Sequence, residues 1–255
     1  MVTGLAFLAT AVASLFAEAT FVRWTERRTA HLAAWTVALA MFAGASAALA
    51  VGVSTGWDTA TFRVFYLLGA VLNVPWLAFG TFCLLCHRGV VVRRARAALV
   101  FFSGLGVGVL LSAPMEAVSG TTIPVGSDVF GALPRVLAAV GSGVGAVVIV
   151  VGACWSGIRY VRDRSAPRGA RLAGANALIA LGTIVLSSGG LIQGAVGHDE
   201  AFTLSLAIGI SVIYAGFLTA EGRRTHPQAA GAARPGRSAP EEAPLAAPTN
   251  GGVTA

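Results

Sequence analysis

An apolar run that ends in a cluster of arginines occupies residues 62–96: FRVFYLLGAVLNVPWLAFGTFCLLCHRGVVVRRAR. Its first part, residues 62–86, contains a single charged side chain, Arg63. A helix needs about 20 apolar residues to cross roughly 30 Å of hydrocarbon, and this run is long enough. The arginines follow directly after it. This combination predicts a membrane-spanning helix with a basic loop at one end.

Six further apolar runs of similar length occur along the chain. The chain has 255 residues, of which 56% are apolar and 11% are charged, and its mean hydropathy is +0.77. Soluble domains carry about 25% charged residues, so this composition indicates a chain that is solvated by a bilayer. We therefore predict an all-α fold, a seven-transmembrane helix bundle with spans at 2–22, 31–53, 62–86, 97–115, 135–158, 172–196 and 201–220.

The seven spans leave little of the chain for any other domain. Residues 1–220 form the predicted seven-helix transmembrane domain, with external loops at 54–61, 116–134 and 197–200. Residues 221–255 mix Ala, Pro, Gly and Arg without apolar periodicity. Such a segment cannot bury enough apolar surface to offset the entropy of ordering, so we predict a disordered cytoplasmic tail there.

The eighteen basic residues are all arginines, and they are distributed unequally between the loops. Sixteen of them follow spans 1, 3, 5 and 7, and only Arg63 and Arg135 lie on the other side. This asymmetry predicts a bacterial plasma-membrane protein with its N-terminus outside and its C-terminus in the cytoplasm. The arginines are expected to contact anionic lipid head groups. No aromatic residues alternate with them on a basic face, which argues against nucleic-acid binding.

Polar side chains inside the spans are the candidate site residues, because a polar group in hydrocarbon must face a partner or water. In span 1, Thr10, Ser14 and Glu18 follow at four-residue spacing and share one helical face. Glu18 is the one carboxylate well inside a predicted span. We expect either an ion, proton or ligand site at Glu18, or a pairing of Glu18 with Arg27 or another arginine at the cytoplasmic interface.

Span 3 carries the longest polar stripe. Arg63, Tyr66 and Asn73 recur at helical spacing, and Asn73 falls near the middle of the membrane. Beside it, Pro75 cannot donate to the carbonyl of Val71, which predicts a kink and a free acceptor. The amide and the freed carbonyl indicate either an intramembrane binding site or a hydrogen bond between helices. Arg63 is expected to snorkel or to pair with an external carboxylate.

Span 6 adds Ser187 and Gln193 to the candidate residues. If the polar stripes of spans 1, 3 and 6 meet, they line a polar cavity inside the bundle, where a small solute or an ion would bind. The predicted ligand- or ion-binding set is Ser14, Glu18, Arg63, Tyr66, Asn73, Ser187 and Gln193.

Residues 83–87 read CLLCH, the CxxCH spacing of covalent haem attachment. Their place at the cytoplasmic end of an apolar span opposes that chemistry. We expect Cys83 and Cys86 to be ordinary helix-end residues, with a reversible thiol pair or a metal site with His87 as alternatives. No nucleophile with a base, no HExxH and no phosphate-binding loop occurs in the sequence. We predict no catalytic residues, no metal, no cofactor and no enzyme activity, with a membrane redox protein as the remaining alternative.

Two stretches carry a family resemblance: FVRW at 21–24, with the pattern FxRW, and FRVFYLLGAVLNVPW at 62–76. The complete absence of lysine beside abundant Ala, Gly and Arg is typical of a GC-rich bacterial genome. On these features the chain resembles the small, uncharacterised seven-span membrane proteins of high-GC actinobacteria. Its topology is also similar to that of rhodopsins and receptors, although a retinal Schiff base requires a lysine. The resemblance implies the seven-helix fold and no activity.

Two functions follow from this sequence. The preferred prediction is a ligand- or ion-handling bundle, receptor-like or permease-like, which needs a polar, water-accessible cavity between spans 1, 3 and 6. The alternative is a structural or assembly partner of a membrane complex, with a filled interior and with polar stripes that bind the helices of a membrane-protein partner. The presence or absence of the cavity distinguishes the two.

Overall fold

The computed structural model describes residues 1–86, 88–162, 167–196 and 198–221. Within these ranges the chain is almost entirely helical, and seven helices are long and apolar enough to cross a membrane. This confirms the prediction of an all-α bundle with seven spans. The helices are α1 Val2–Arg27, α2 Ala30–Thr55, α3 Thr59–Leu85, α4 Gly89–Ser112, α5 Ala132–Arg162, α6 Pro167–Val196 and α7 Asp199–Glu221.

Consecutive helices run in opposite directions, so the bundle has two chemically different ends. At one end α1 joins α2, α3 joins α4 and α5 ends. We call it the basic end, because arginines such as Arg27, Arg88 and Arg159 lie there. At the other end, the loop end, residues 113–131 connect α4 to α5. The tail was predicted at 221–255, but Glu221 still belongs to α7. Residues 222–255 and His87 of the CxxCH sequence lie outside the described residues.

Six of the helices pack in a closed ring in the order α1, α2, α3, α5, α6 and α7, with α7 against α1. Helix α4 lies outside this ring, against α3 and α5. Three residues of α4 are buried, Leu99, Gly106 and Leu110, whereas α2 buries ten. Helix α4 is therefore the most peripheral of the described helices.

Apolar side chains stabilise the ring near both ends. At the loop end, Trp57 and Phe62 pack with Ile123 of the 113–131 connection. Closer to the basic end, the Phe16 ring of α1 lies 4.9 Å from the Phe217 ring of α7, measured between centroids. The burial of each large apolar side chain contributes about 1.5–3 kcal/mol in water, and in a bilayer the same contacts act through close packing.

Candidate functional site

Arg63 lies at the loop end of α3, and main-chain carbonyls bind its guanidinium group. Nη1 donates to the carbonyls of Leu110 at 2.8 Å and Leu111 at 2.6 Å, and Nη2 donates to the carbonyl of Ala113 at 2.9 Å. The last carbonyls of a helix have no partner within it, so Arg63 caps the end of α4. Among the described residues Arg63 thus binds carbonyls in place of the expected external carboxylate, and the expectation that it snorkels stays a prediction.

Asp58, an external carboxylate at the start of α3, binds groups of its own helix. It accepts hydrogen bonds from the N–H groups of Ala60 and Thr61, both at 2.8 Å, and from the Thr61 hydroxyl at 2.8 Å. These bonds satisfy the first free donors of α3. The hydrogen bonds from Thr61 also lower the pKa of the Asp58 carboxyl. Asp58 is therefore an N-cap rather than a partner of Arg63.

Tyr66 lies below the connection between α4 and α5. Its ring centroid is 5.0 Å from that of Phe130 and 5.9 Å from that of Phe62. The connection includes a one-turn helix, Gly126–Val129, and a side chain at Gly126 would overlap the Tyr66 ring. Tyr66 is therefore part of the apolar packing at the loop end.

Gln193 of α6 is 7% exposed and binds the same connection. Its Nε2 donates to the carbonyl of Ile123 at 3.3 Å and to Oδ1 of Asp199 at 3.1 Å. The other oxygen of Asp199 accepts from the N–H of Ile123 at 2.9 Å. Both main-chain groups of Ile123 are thus bound by side chains where α6 ends and α7 begins.

Residues 113–131, which we call the cap, close the loop end. The carbonyl of Gly120 accepts from the N–H of Trp57 at 2.8 Å, and the N–H of Glu116 donates to the carbonyl of Val129 at 3.1 Å. Ile123 is 4% exposed. Because its side chain and its main-chain groups are all engaged, the cap is an ordered part of the bundle.

Replacing Gln193 by leucine should speed hydrogen exchange in the cap. The change removes both donors at Nε2 and leaves the buried carbonyl of Ile123 unpaired, which costs about 1–2 kcal/mol. We expect the amide of Ile123 to exchange about tenfold faster, since each 1.4 kcal/mol is a factor of ten. Hydrogen–deuterium exchange of peptides that cover residues 118–125 measures this.

The matched control is Ser188→Ala on the same helix. Ser188 is exposed, and its hydroxyl donates only to the carbonyl of Val185, within α6. Exchange in the cap should be unchanged in this variant. Equal acceleration by both substitutions would show that α6 as a whole was loosened and that Gln193 does not fasten the cap.

Helix α3 is irregular where Asn73 lies. Its parts are an α-helical segment Thr59–Phe65, a π-helical segment Tyr66–Leu72 and an α-helical segment Asn73–Leu85. The N–H of Asn73 donates to the carbonyl of Leu68, five residues earlier. The predicted kink is therefore a change of helical register, a feature that is frequent at functional sites.

The π-helical segment ends where Pro75 interrupts the backbone hydrogen bonds. In the π register the carbonyl of Ala70 would accept from residue 75, which has no N–H. The hydroxyl of Ser142 in α5 donates to this carbonyl instead, at 2.6 Å. The carbonyl that accepts a hydrogen bond from another helix is thus that of Ala70, rather than that of Val71. This hydrogen bond from Ser142 links α3 to α5.

Two buried acceptors have no hydrogen-bond partner within the described part of the chain: Oδ1 of Asn73 and Oε1 of Gln193. Both residues are 7% exposed. Most buried polar atoms in proteins are paired with protein or ordered water, so each of these oxygens has the capacity to accept one further hydrogen bond.

Ser14, Glu18 and Ser187 all lie on the outer surface of the bundle. The Ser14 hydroxyl donates to the carbonyl of Thr10 in its own helix, at 2.8 Å. The ring-facing side of α1 is apolar and includes Ala13, which is fully buried. The polar stripe of span 1 therefore points away from the other helices, because small apolar residues provide the packing surface.

The predicted binding residues lie outside two recesses in the described part of the bundle. An apolar groove of about 290 Å³ lies between α3, α4 and α5, and a depression of about 510 Å³ lies at residues 198–201. None of the seven residues lines either of them. The expected convergence of the polar stripes is therefore corrected for span 1, whose Ser14 and Glu18 face outward, while Asn73 is buried and Gln193 binds the cap.

Cys83 and Cys86 are partly buried at the basic end of α3, and Cys154 is exposed on α5. All three are free thiols. Among the residues that the structure describes, no group of three His, Cys, Asp or Glu side chains could hold a metal ion. The interpretation of the CxxCH sequence involves His87, which lies outside those residues, and it stays a prediction.

Asp199 and Ser142 take part in these contacts although sequence reasoning did not select them. Asp199 belongs to a predicted turn of four polar or small residues, GHDE, which is typical of a solvent-exposed loop. Pro75 indicated a free acceptor but carried no information about its donor, which lies in another helix. Comparison of the chain with protein-family profiles, with curated proteins and with solved structures found no match.

Proposed function

We propose that this chain is an assembly partner within a larger membrane complex, bound through the outer face of α1. The observation that supports the proposal is Glu18, which is exposed on that face. Helix α1 has 26 residues, which is about 39 Å, and Glu18 lies about 5 Å from its midpoint. An ionised carboxylate at this depth in the bilayer is energetically unfavourable unless it pairs with another group or is hydrated.

The arginines of α1 do not meet this carboxylate. Arg27 lies about 13 Å further along the helix and on its opposite side. Arg23 faces α7, with its guanidinium carbon 4.6 Å from the centre of the Phe217 ring. The pairing of Glu18 with Arg27 that the sequence suggested is therefore not formed, and among the described residues the carboxylate has no hydrogen bond or ion pair.

The outer face of α1 has the spacing of a helix–helix contact. Its exposed positions alternate by three and four residues, the pattern with which one helix packs along another. Small side chains among them would allow a second backbone to approach closely. The positions, which we call the α1 seam, are Gly4, Phe7, Ala11, Ser14, Glu18, Phe21 and Thr25.

Charge complementarity indicates which kind of helix would bind the α1 seam. A parallel second copy of this chain would place two Glu18 carboxylates against each other, and like charges disfavour that contact. A helix with a basic side chain at the same depth would form an ion pair there, and inside a membrane such pairing is the usual state of an ionisable residue. The proposed partner is thus a different membrane protein with an arginine, lysine or histidine in its span.

The arginine asymmetry supports a bacterial plasma-membrane location with the basic end in the cytoplasm and the N-terminus outside. In this orientation Glu18 lies in the inner half of the bilayer. Binding of a partner requires no catalytic group, and we propose a non-enzymatic role.

A solute-handling role has one specific observation in its favour. Asn73 is buried beside the π-helical segment, and its Oδ1 has no partner within the described ranges. A solute or ion at that oxygen would make Asn73 the polar contact of an intramembrane site. The two candidate functions use different residues, so one set of variants separates them.

Photo-crosslinking tests the assembly proposal. We expect p-benzoylphenylalanine at Ala11 of the full chain, irradiated in membranes of the source cell, to form an adduct with the partner helix. Glu18→Leu should lower the adduct yield at least about tenfold, because removal of one member of a buried charge pair costs about 2 kcal/mol or more. Glu18→Gln should retain part of the yield, since an amide still forms hydrogen bonds. Quantitative mass spectrometry of the adduct measures both.

The control places the photoprobe at Val151, which is 60% exposed on α5 and outside the seam. It should not give the same adduct. Thermal unfolding of the Glu18→Leu variant should match that of the parent, because Glu18 is exposed and makes no hydrogen bond or ion pair within the described bundle. An undiminished adduct with Glu18→Leu would refute the proposal. Loss of ion flux in proteoliposomes of Asn73→Leu, with adducts unchanged, would favour solute handling.

A further inference from the structure

The apolar groove of about 290 Å³ lies where α4 leaves the ring. Pro75 and Phe79 of α3, Leu99 of α4, and Gly141 and Val144 of α5 contribute to its walls, and all of its lining residues are apolar. Val144 is 62% exposed, so the groove opens sideways to the surroundings of the bundle. In a membrane this opening faces the acyl chains of the lipid.

The groove extends along α4 towards the basic end of the bundle, where the arginines lie. Ala95 lines the groove on α4 and Phe82 lines it on α3. Arg96 follows Ala95 and lies three residues before Leu99, which also lines the groove. Arg96 is exposed. This spacing places Arg96 at the basic end of the groove-lining part of α4.

Helix α5 carries a second arginine at the basic end of the bundle. The groove-lining face of α5 includes Val144 and Val148, and helical periodicity carries this face on to Trp155 and Arg159. Trp155 is 67% exposed, and Arg159 is exposed as well. Tryptophan is enriched at the level of lipid head groups, and arginine binds phosphate through two parallel hydrogen bonds.

We propose that this groove is a specific site for one anionic phospholipid, with an acyl chain between α4 and α5 and the phosphate at Arg96 and Arg159. The lipid would supply packing contacts that the protein does not provide around α4. The site lies on α3, α4 and α5, away from the α1 seam, and it does not depend on the proposed assembly role.

The dimensions favour a lipid chain over a protein helix. A helix about 10 Å across fills roughly 800 Å³ in each 10 Å of its length, far more than this groove contains. A flexible hydrocarbon chain adapts to such a narrow space. The arginines at one end and the apolar walls along the rest match the two chemical parts of an anionic phospholipid.

Native mass spectrometry of the full chain in detergent, titrated with phosphatidylglycerol or phosphatidylcholine, tests the head-group contacts. We expect the anionic lipid to bind at least about tenfold more tightly. Arg96→Gln and Arg159→Gln should each weaken its binding about fivefold, in line with the contribution of one arginine near a lipid phosphate. Arg93→Gln is the control on the same helix: Arg93 is exposed, and helical periodicity places it on the side opposite to the groove-lining residues Ala95 and Ala98.

Obstruction of the groove tests the acyl-chain contacts. Val144→Trp should weaken phosphatidylglycerol binding at least about tenfold, because the indole occupies the space of the chain. Val147→Trp is the matched control: Val147 is also 62% exposed on α5 but does not line the groove. Its affinity for the lipid should match that of the parent.

Several results would overturn the proposal. Equal affinity for both lipids would remove the role of the arginines, and equal weakening by Arg93→Gln would indicate a diffuse layer of lipid around the basic end. Competition by inorganic phosphate without any effect of Val144→Trp would identify a phosphate site instead. A dimer that Val144→Trp dissociates would show that a second copy of the chain occupies the groove.

Discussion

Replacing Arg63 by glutamine should lower the free energy of unfolding by about 3 kcal/mol. The guanidinium group donates to three carbonyls at the end of α4, Leu110, Leu111 and Ala113. A hydrogen bond from a charged donor contributes about 1.5–3 kcal/mol, and the shorter amide of glutamine cannot reach all three acceptors. Reversible denaturation in mixed micelles, monitored by circular dichroism, measures the loss.

The control for this prediction is Arg135→Gln. Arg135 is the other arginine of the loop end, and it is exposed at the start of α5. Its replacement should change the free energy of unfolding by less than about 0.5 kcal/mol, as is usual for surface positions. If the two variants lose equal stability, the effect is one of charge at the loop end, and the capping role of Arg63 is refuted.

Gly182→Ala should destabilise the contact between α6 and α7 by about 2–3 kcal/mol, the range of an overpacked interface. A methyl group at Gly182 would lie 2.6 Å from the Ile213 side chain and 2.8 Å from the carbonyl of Gly209. Backbone cannot move aside as a flexible side chain can, so the helices must separate. The same denaturation experiment measures the loss.

Gly190→Ala is the matched control in α6. No atom lies within 4 Å of the position that its methyl group would occupy. We expect its stability to be unchanged or raised by up to about 1 kcal/mol, because alanine favours the helix more than glycine. Equal destabilisation by both variants would show that helix flexibility, and not the close approach at Gly182, is what the glycine provides.

The membrane-spanning architecture was accessible from the sequence because it depends on local composition. Each apolar run is bounded by charged or turn-forming residues, and the helices end near them, as α1 does at Arg27. The predicted start of α5 was wrong because of a proline, Pro134. The loop was expected to end at Pro134, yet α5 begins at Ala132, because proline is tolerated in the first turn of a helix, where its N–H has no partner to lose.

Which way the polar helix faces point, towards the bundle or towards the lipid, could not be predicted from the sequence. Spacing places Ser14 and Glu18 on one side of α1 but does not state whether that side faces the bundle or the lipid. The structure packs the opposite, alanine-rich side into the ring. The hydrogen bonds of Ile123 and Ala70 join residues about 70 positions apart, and such pairs follow from tertiary packing alone.

The cap also sets how often water reaches the interior from the loop end. Three hydrogen bonds join its middle part, residues 118–125, to the helices, two at Ile123 and one at Gly120. At about 1 kcal/mol each, they limit spontaneous opening to roughly one molecule in 150 at any moment. The residues beneath this part of the cap, such as Trp57 and Phe62, are therefore exposed to water only in that small open population.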